Sequence, residues 1–205
     1  MCYSPEVSLG TFLFAVSVTS LAVYVEFVSV PWAVFLMSFA SMQLVEFFLW
    51  INLKNPSVNA LLSLAGLALI LLQPVAAGLL VPDARERAAY WAAYALFCAL
   101  FLYSQWPIQL RTGVAENMHL SWHWLTGDWM IFLAWIGFIS YAVWRSTDTD
   151  IRMRALVVAF VLATAAFSWS QNHKYQGAWG SHWCWISNAA FVFLLLRMAA
   201  AWRVR

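Results

Sequence analysis

PWAVFLMSFASMQLVEFFLWIN, residues 31–52, is the stretch whose reading decides the fold. A helix needs about 20 mostly apolar residues to cross the ~30 Å hydrocarbon layer of a bilayer, and this run supplies them. The run alternates with no period of two, as a closed transmembrane barrel would, so it reads as a helix. It also holds Gln43 and Glu46 within its second half. A carboxylate in hydrocarbon costs about 2.5–3.5 kcal/mol even on the lenient insertion scale. Glu46 therefore needs a partner, a proton or water. Arg111, His119, His173 and a bound cation are the candidates, and the plainer alternative is a neutral carboxyl hydrogen-bonded to Gln43.

Six further runs of the same kind surround this one: 8–28, 57–81, 88–106, 128–145, 153–172 and 180–201. Together the seven predict an all-α, polytopic membrane protein with a single seven-helix transmembrane domain over 1–205. Proline, glycine and charge separate the runs, as in KNPS (54–57), PDARER (82–87) and RSTDTDIRMR (145–154). Only 10% of the residues are charged, against about 25% in a water-soluble domain. Net charge is +2 with no basic tract, so nucleic acid is not expected as a partner. No charged n-region or small-residue cleavage site precedes the first run, which is expected to stay as a span. Neither a myristoylation glycine nor a prenylation box is present.

Basic residues in short loops set orientation. Lys54, Arg111 and Lys174 fall on one side. Arg85, Arg87, Arg145, Arg152 and Arg154, with Arg203 and Arg205, fall on the other. The second side is expected to be cytoplasmic, with the amino terminus outside.

The reactive side chains then gather on the extracytoplasmic side. Cys2, Gln43, Glu46, Glu116, His119, His123, His173, Ser181, Cys184 and Asn188 all map there. Gln43 and Glu46 are three apart and share a helix face. Ser181, Cys184 and Asn188 form a stripe at i, i+3, i+7. Polar stripes in spans point at other helices or at water, so a polar pocket opening outward is expected. ENMHLSWHW (116–124) would put Glu116, His119 and His123 on one face of a short interfacial helix. His at i+4 with a nearby thiolate is a chelating arrangement for Zn or Cu, which makes His119, His123 and Cys184 candidate metal ligands; anchoring of His and Trp at headgroup depth is the alternative. Gln73-Pro74 lies inside the third run. Pro74 has no N–H, so the Ile70 carbonyl is left free and the helix should kink, with Gln73 lining a cavity or repairing the break. Cys2 and Cys184 have three readings: a disulfide, soft-metal ligands, or nucleophiles activated by a histidine. The tryptophans on this side read as an aromatic belt, with cation–π capture of a choline headgroup as the other use.

MCYSPEVSLGTFLF (1–14), SMQLVEFFLW (41–50), LLQP (71–74) and WGSHWCWISN (179–188) together resemble a multi-pass membrane protein family of uncharacterised activity. Its pattern is M-C-x-x-x-x-x-S at the amino terminus, Q-x-x-E-x-x-x-W in the second helix and W-C-W in the last. The resemblance implies that Cys2, Gln43, Glu46, Trp50, Trp183, Cys184 and Trp185 form one constellation; it implies no activity. Three functions follow from the residues. The first is a metal- or thiol-dependent membrane enzyme acting on a lipid or small amphiphile, with Cys2, Glu46, Cys184 and His173 catalytic and Gln43, Gln73, Trp50, Trp183, Trp185, Asn188 and Ser181 binding. The second is a transporter or ion channel using Glu46. The third is a structural or assembly protein whose polar stripes pack helices.

Overall fold

The computed structural model describes residues 4–125, 129–172, 175 and 177–202. Among them the chain is helical apart from one small hairpin. The helices are α1 (Pro5–Tyr24), α2 (Val30–Ile51), α3 (Pro56–Gly78), α4 (Ala84–Ser104), α5 (Trp129–Arg145), α6 (Ile151–Asn172), α7 (Ala178–Ser187) and α8 (Ala189–Trp202). Strands β1 (Thr112–Val114) and β2 (Leu120–Trp122) form the hairpin between α4 and α5.

The separators in the sequence act as caps. Ser4 accepts from the Val7 N–H at 3.4 Å, Asn55 from Val58 at 3.2 Å and Asp83 from Glu86 at 2.8 Å. Each satisfies one of the donors that a helix start leaves open. Proline stands in the first turn of α1, α2 and α3, where its missing N–H costs nothing.

Among the described residues five helical runs are long and apolar enough to cross a membrane: Pro5–Tyr24, Val30–Ile51, Pro56–Gly78, Ile151–Ser170 and Ala178–Trp202. The sequence reading expects seven. The α5 run is apolar but short, at Met130–Arg145. The α4 run is long enough, but Arg85, Glu86 and Arg87 in its first turn, with three tyrosines and a tryptophan further along, lower its apolarity. The last run is continuous except at Asn188, where one residue interrupts the helix. There Asn188 Nδ2 donates to the Cys184 carbonyl at 2.8 Å.

Helix α3 is the axis on which the rest packs. It touches α2, α4, α5 and β1. Pro74 stands inside it, and the carbonyl it strands is taken by a side chain from another helix: Trp135 Nε1 of α5 donates to Ile70 O at 3.1 Å. Neighbouring carbonyls receive second donors from α4. Tyr94 reaches Leu71 O at 2.9 Å, Tyr90 reaches Pro74 O at 2.8 Å and Trp91 reaches Val75 O at 3.1 Å. Gln73 does not repair the break. It donates to Ser38 O of α2 at 3.4 Å and is fully buried between the two helices.

The hairpin docks on the start of α3. Asn59 Nδ2 donates to Thr112 O at 3.0 Å, and the Thr112 N–H donates back to Asn59 Oδ1 at 2.8 Å. The side-chain amide thus pairs with one peptide unit as a neighbouring strand would. Ser63 and Trp124 bond the Thr112 hydroxyl at 2.8 and 3.3 Å. These bonds occupy polar groups that burial would otherwise penalise by about 1–3 kcal/mol each.

Trp135→Phe should leave Ile70 O buried without a donor, destabilising the protein by about 1–3 kcal/mol. In a Pro74→Ala background residue 74 regains its N–H, and the same substitution should cost less. Equal costs in the two backgrounds, measured by denaturant unfolding in detergent, would refute this account of the kink.

Candidate functional site at the hairpin end

The carboxyl-terminal part of α2, the amino-terminal turns of α1, α3 and α7, and the hairpin all meet at one end of the bundle. Most of the expected site residues lie there. Gln43 and Glu46 are on one face of α2, as their spacing requires, and both are fully buried. Gln43 Nε2 donates to Glu46 Oε2 at 3.2 Å. Thr11 of α1 donates to Gln43 Oε1 at 3.1 Å and also lies within reach of the Val7 and Ser8 carbonyls. Glu46 therefore faces protein and not acyl chains, and the amide of Gln43 relays between α1 and the carboxyl.

Cys184 is fully buried on α7, is a free thiol, and sits within the electrostatic reach of Glu46. It also lines a cavity of about 30 Å³, room for roughly one or two water-sized groups. Ile70, Phe97, Phe132, Trp135 and Trp183 form the apolar walls. Trp183 is clamped edge-on between Phe39 at 5.5 Å and Trp135 at 5.1 Å, and its N–H reaches Thr164 at 3.1 Å. Ser181, Cys184 and Asn188 keep the common face that their spacing predicts, all three buried. Trp50, one turn beyond Glu46, and Trp185, beside Cys184, are partly buried. Both have an indole N–H enclosed without an acceptor among the described residues.

The segment from Glu116 to Trp124 departs from expectation. It is not an interfacial helix but the turn and second strand of the hairpin, with Thr112 opposite Trp122 and Val114 opposite Leu120. His119 and His123 flank β2 instead of standing one helical turn apart. Glu116 is exposed, His123 lies beside Gly113, and His119 turns inward. The expected His119–His123–Cys184 metal set is therefore not formed. Among the described residues, no three His, Cys, Asp or Glu side chains converge as a Zn or Cu site would need.

His119 instead meets His182 of α7, ring centroids 4.8 Å apart. Ser168 of α6 lies 3.4 Å from His182 Nδ1 and donates to Trp179 O at 2.6 Å. Burial, and then the neighbouring His182 ring, draw His119 down to about 4. His123 is also lowered, by burial and by Arg111. The contact of hairpin with α7 depends on glycine. Gly177 has φ +72°, and a Cβ there would lie 2.3 Å from the Trp122 carbonyl oxygen. Trp122, stacked on Trp124 at 4.9 Å, lies against Gly180.

Of the residues singled out in the sequence, Gln43, Glu46, Cys184 and Trp183 are thus brought together around the end of α2 and the start of α7. Gln73 is deeper, in the α2–α3 interface. Cys2 and His173 lie outside the described residues. Thr11 and Trp135 belong to the site without having been selected, and His182 and Ser168 lie there in contact with each other. A Ser4–Ser8–Thr11 stripe at i, i+4, i+7 was a legible signal for Thr11. Nothing in the spacing of His182, Ser168 or Trp135 pairs them with their partners. No family model, no curated protein and no solved structure matches this chain.

The folded value of His119 lies below the ordinary 6.5, so the unfolded chain takes up protons first as pH falls. The contribution of a neutral His119 to stability should be complete at neutral pH and be lost from about pH 6.5 towards 4. Amide exchange at Leu120–Trp122 should accelerate over that window. The acceleration should shrink in His119→Gln; an undiminished slope would refute it.

Proposed function

We propose that this chain is a seven-span membrane protein that uses Cys184 as a nucleophile towards a lipid or small amphiphile, with Glu46 as proton acceptor. In this reading the hairpin end faces the extracytoplasmic side. The charge distribution supports that sidedness: Arg85, Arg87, Arg145, Arg152 and Arg154 lie at the opposite end. One observation carries the chemistry. Cys184 lies within the electrostatic reach of the Glu46 carboxyl and lines a small cavity with apolar walls.

The step is acyl transfer. The thiol sulfur attacks an ester carbonyl carbon, a sulfur–carbon bond forms, and the carbon–oxygen bond to the leaving alcohol breaks. Glu46 takes the thiol proton and returns it to the departing oxygen, leaving a thioester on Cys184. Gln43, tied to Thr11, holds the carboxyl in place. Trp135 and Trp183 line the same ~30 Å³ cavity as Cys184, space enough for the reacting carbonyl but not for the acyl chain. Metal has no role in this reading. The transport alternative is weaker, because Gln73, its second polar station, is engaged with the Ser38 carbonyl.

Protein in lipid nanodiscs containing isotope-labelled acyl chains should acquire a hydroxylamine-labile acyl adduct on Cys184, visible by intact mass. Cys184→Ala should abolish it, and Glu46→Gln should slow its formation by about 10²-fold or more, the scale of a lost general base. A wild-type protein that never acylates would sink the proposal.

A further inference from the structure

On the thioester reading of Cys184, the acyl group has to leave the sulfur before a second turnover. Water would take it in a hydrolase, and a second alcohol would take it in a transferase. The cavity that Cys184 lines bears on the choice. Apart from the thiol, its lining side chains are apolar or aromatic, Ile70, Leu125, Phe132, Trp135 and Trp183 among them.

Two of the indoles direct their N–H groups elsewhere. Trp135 donates to Ile70 O at 3.1 Å, and Trp183 donates to the Thr164 hydroxyl at 3.1 Å. Among the carbonyls of the lining residues, that of Ile70 is met by Trp135 and that of Trp179 by the Ser168 hydroxyl at 2.6 Å. A buried water makes about three hydrogen bonds. The lining side chains offer it the Cys184 thiol and the Trp179 indole.

Volume acts in the same direction. About 30 Å³ holds one or two water-sized groups. Once a thioester carbonyl takes part of that space, the rest admits a single oxygen without the companion waters that would hydrate it. An alcohol carried on an apolar molecule meets neither obstacle. Its oxygen enters while its apolar body stays in the bilayer. It also follows the path of the first alcohol in reverse, because a site that expels an alcohol with a proton from Glu46 accepts one by giving that proton back to Glu46.

We infer that the acyl group on Cys184 passes to a second membrane-resident alcohol and not to water, which makes the chain a lipid transacylase. The alcohol oxygen attacks the thioester carbonyl carbon. An oxygen–carbon bond forms and the sulfur–carbon bond breaks. Glu46 takes the hydroxyl proton and returns it to the departing sulfur, which restores the thiol and the carboxylate.

The test places the full chain in nanodiscs of phosphatidylcholine with isotope-labelled acyl chains and supplies dodecanol as the acceptor. Mass spectrometry follows the Cys184 adduct, labelled dodecyl ester and labelled fatty acid. Without dodecanol the adduct should persist. With it, labelled ester should form in excess over fatty acid, and Cys184→Ala should give neither product. Leu125→Asn, which sets a polar side chain in the cavity wall, should raise the yield of fatty acid roughly 5–10-fold, the equilibrium worth of one added hydrogen bond. Ile131→Asn serves the same purpose should Leu125→Asn fail to fold. A wild-type adduct that decays to fatty acid equally with and without dodecanol would overturn the transfer and leave the Cys184 nucleophile standing. No adduct at all would remove both.

Discussion

The carbonyl of Ile70 is the constraint around which this bundle is arranged. Pro74 removes the N–H that would have satisfied it, deep in an apolar environment where an unmet backbone acceptor is expensive. Helix α5 supplies the Trp135 indole, and α4 supplies Tyr90, Trp91 and Tyr94 to the carbonyls around it. Apolar surfaces alone give helices in lipid little reason to associate. Here α3, α4 and α5 are held in register by aromatic side chains whose polar ends reach backbone acceptors. The same arrangement places Trp135 in the wall of the cavity that Cys184 lines.

The second organising element is the hairpin. It presents Thr112 to Asn59 and Trp122 to the glycines of α7, so it bridges α3 and α7 across the end of the bundle. That bridging brings His119 against His182 and closes the end where Glu46, Gln43 and Cys184 lie. Polar groups that would be costly singly are grouped and mutually bonded, as membrane interiors demand. The cost of desolvating them is offset by pairs such as Gln43–Glu46 and Asn59–Thr112. The hairpin also buries His119 against a second imidazole.

Much of this was legible in the chain. Apolar runs of membrane-spanning length, proline at helix starts, and Ser, Asn and Asp caps announced the helices, because length, periodicity and capping are local properties. The stranded Ile70 carbonyl followed from the position of Pro74 alone. The shared faces of Gln43 with Glu46, and of Ser181 with Cys184 and Asn188, followed from helical pitch. The misreadings were non-local. Residues 116–124 suit an amphipathic helix by spacing, but they form the turn and second strand of a hairpin in which Thr112 bonds Asn59 and Trp122 packs on Gly177 and Gly180, partners distant in the sequence. That change separates His119 from His123 and dissolves the expected metal set.

By itself, then, the sequence determined that the chain is helical, apolar enough for a bilayer over several runs, and obliged to shelter a carboxyl and a broken helix. Those are consequences of composition, pitch and the chemistry of proline, each settled within a few turns of chain. Only the tertiary structure decided that an indole answers Ile70, that the Cys184 thiol lines a small apolar cavity, and that His119 meets His182. These depend on which faces of separate helices meet, and such meetings are set by packing and by the satisfaction of buried donors and acceptors across the whole bundle, which no local pattern encodes.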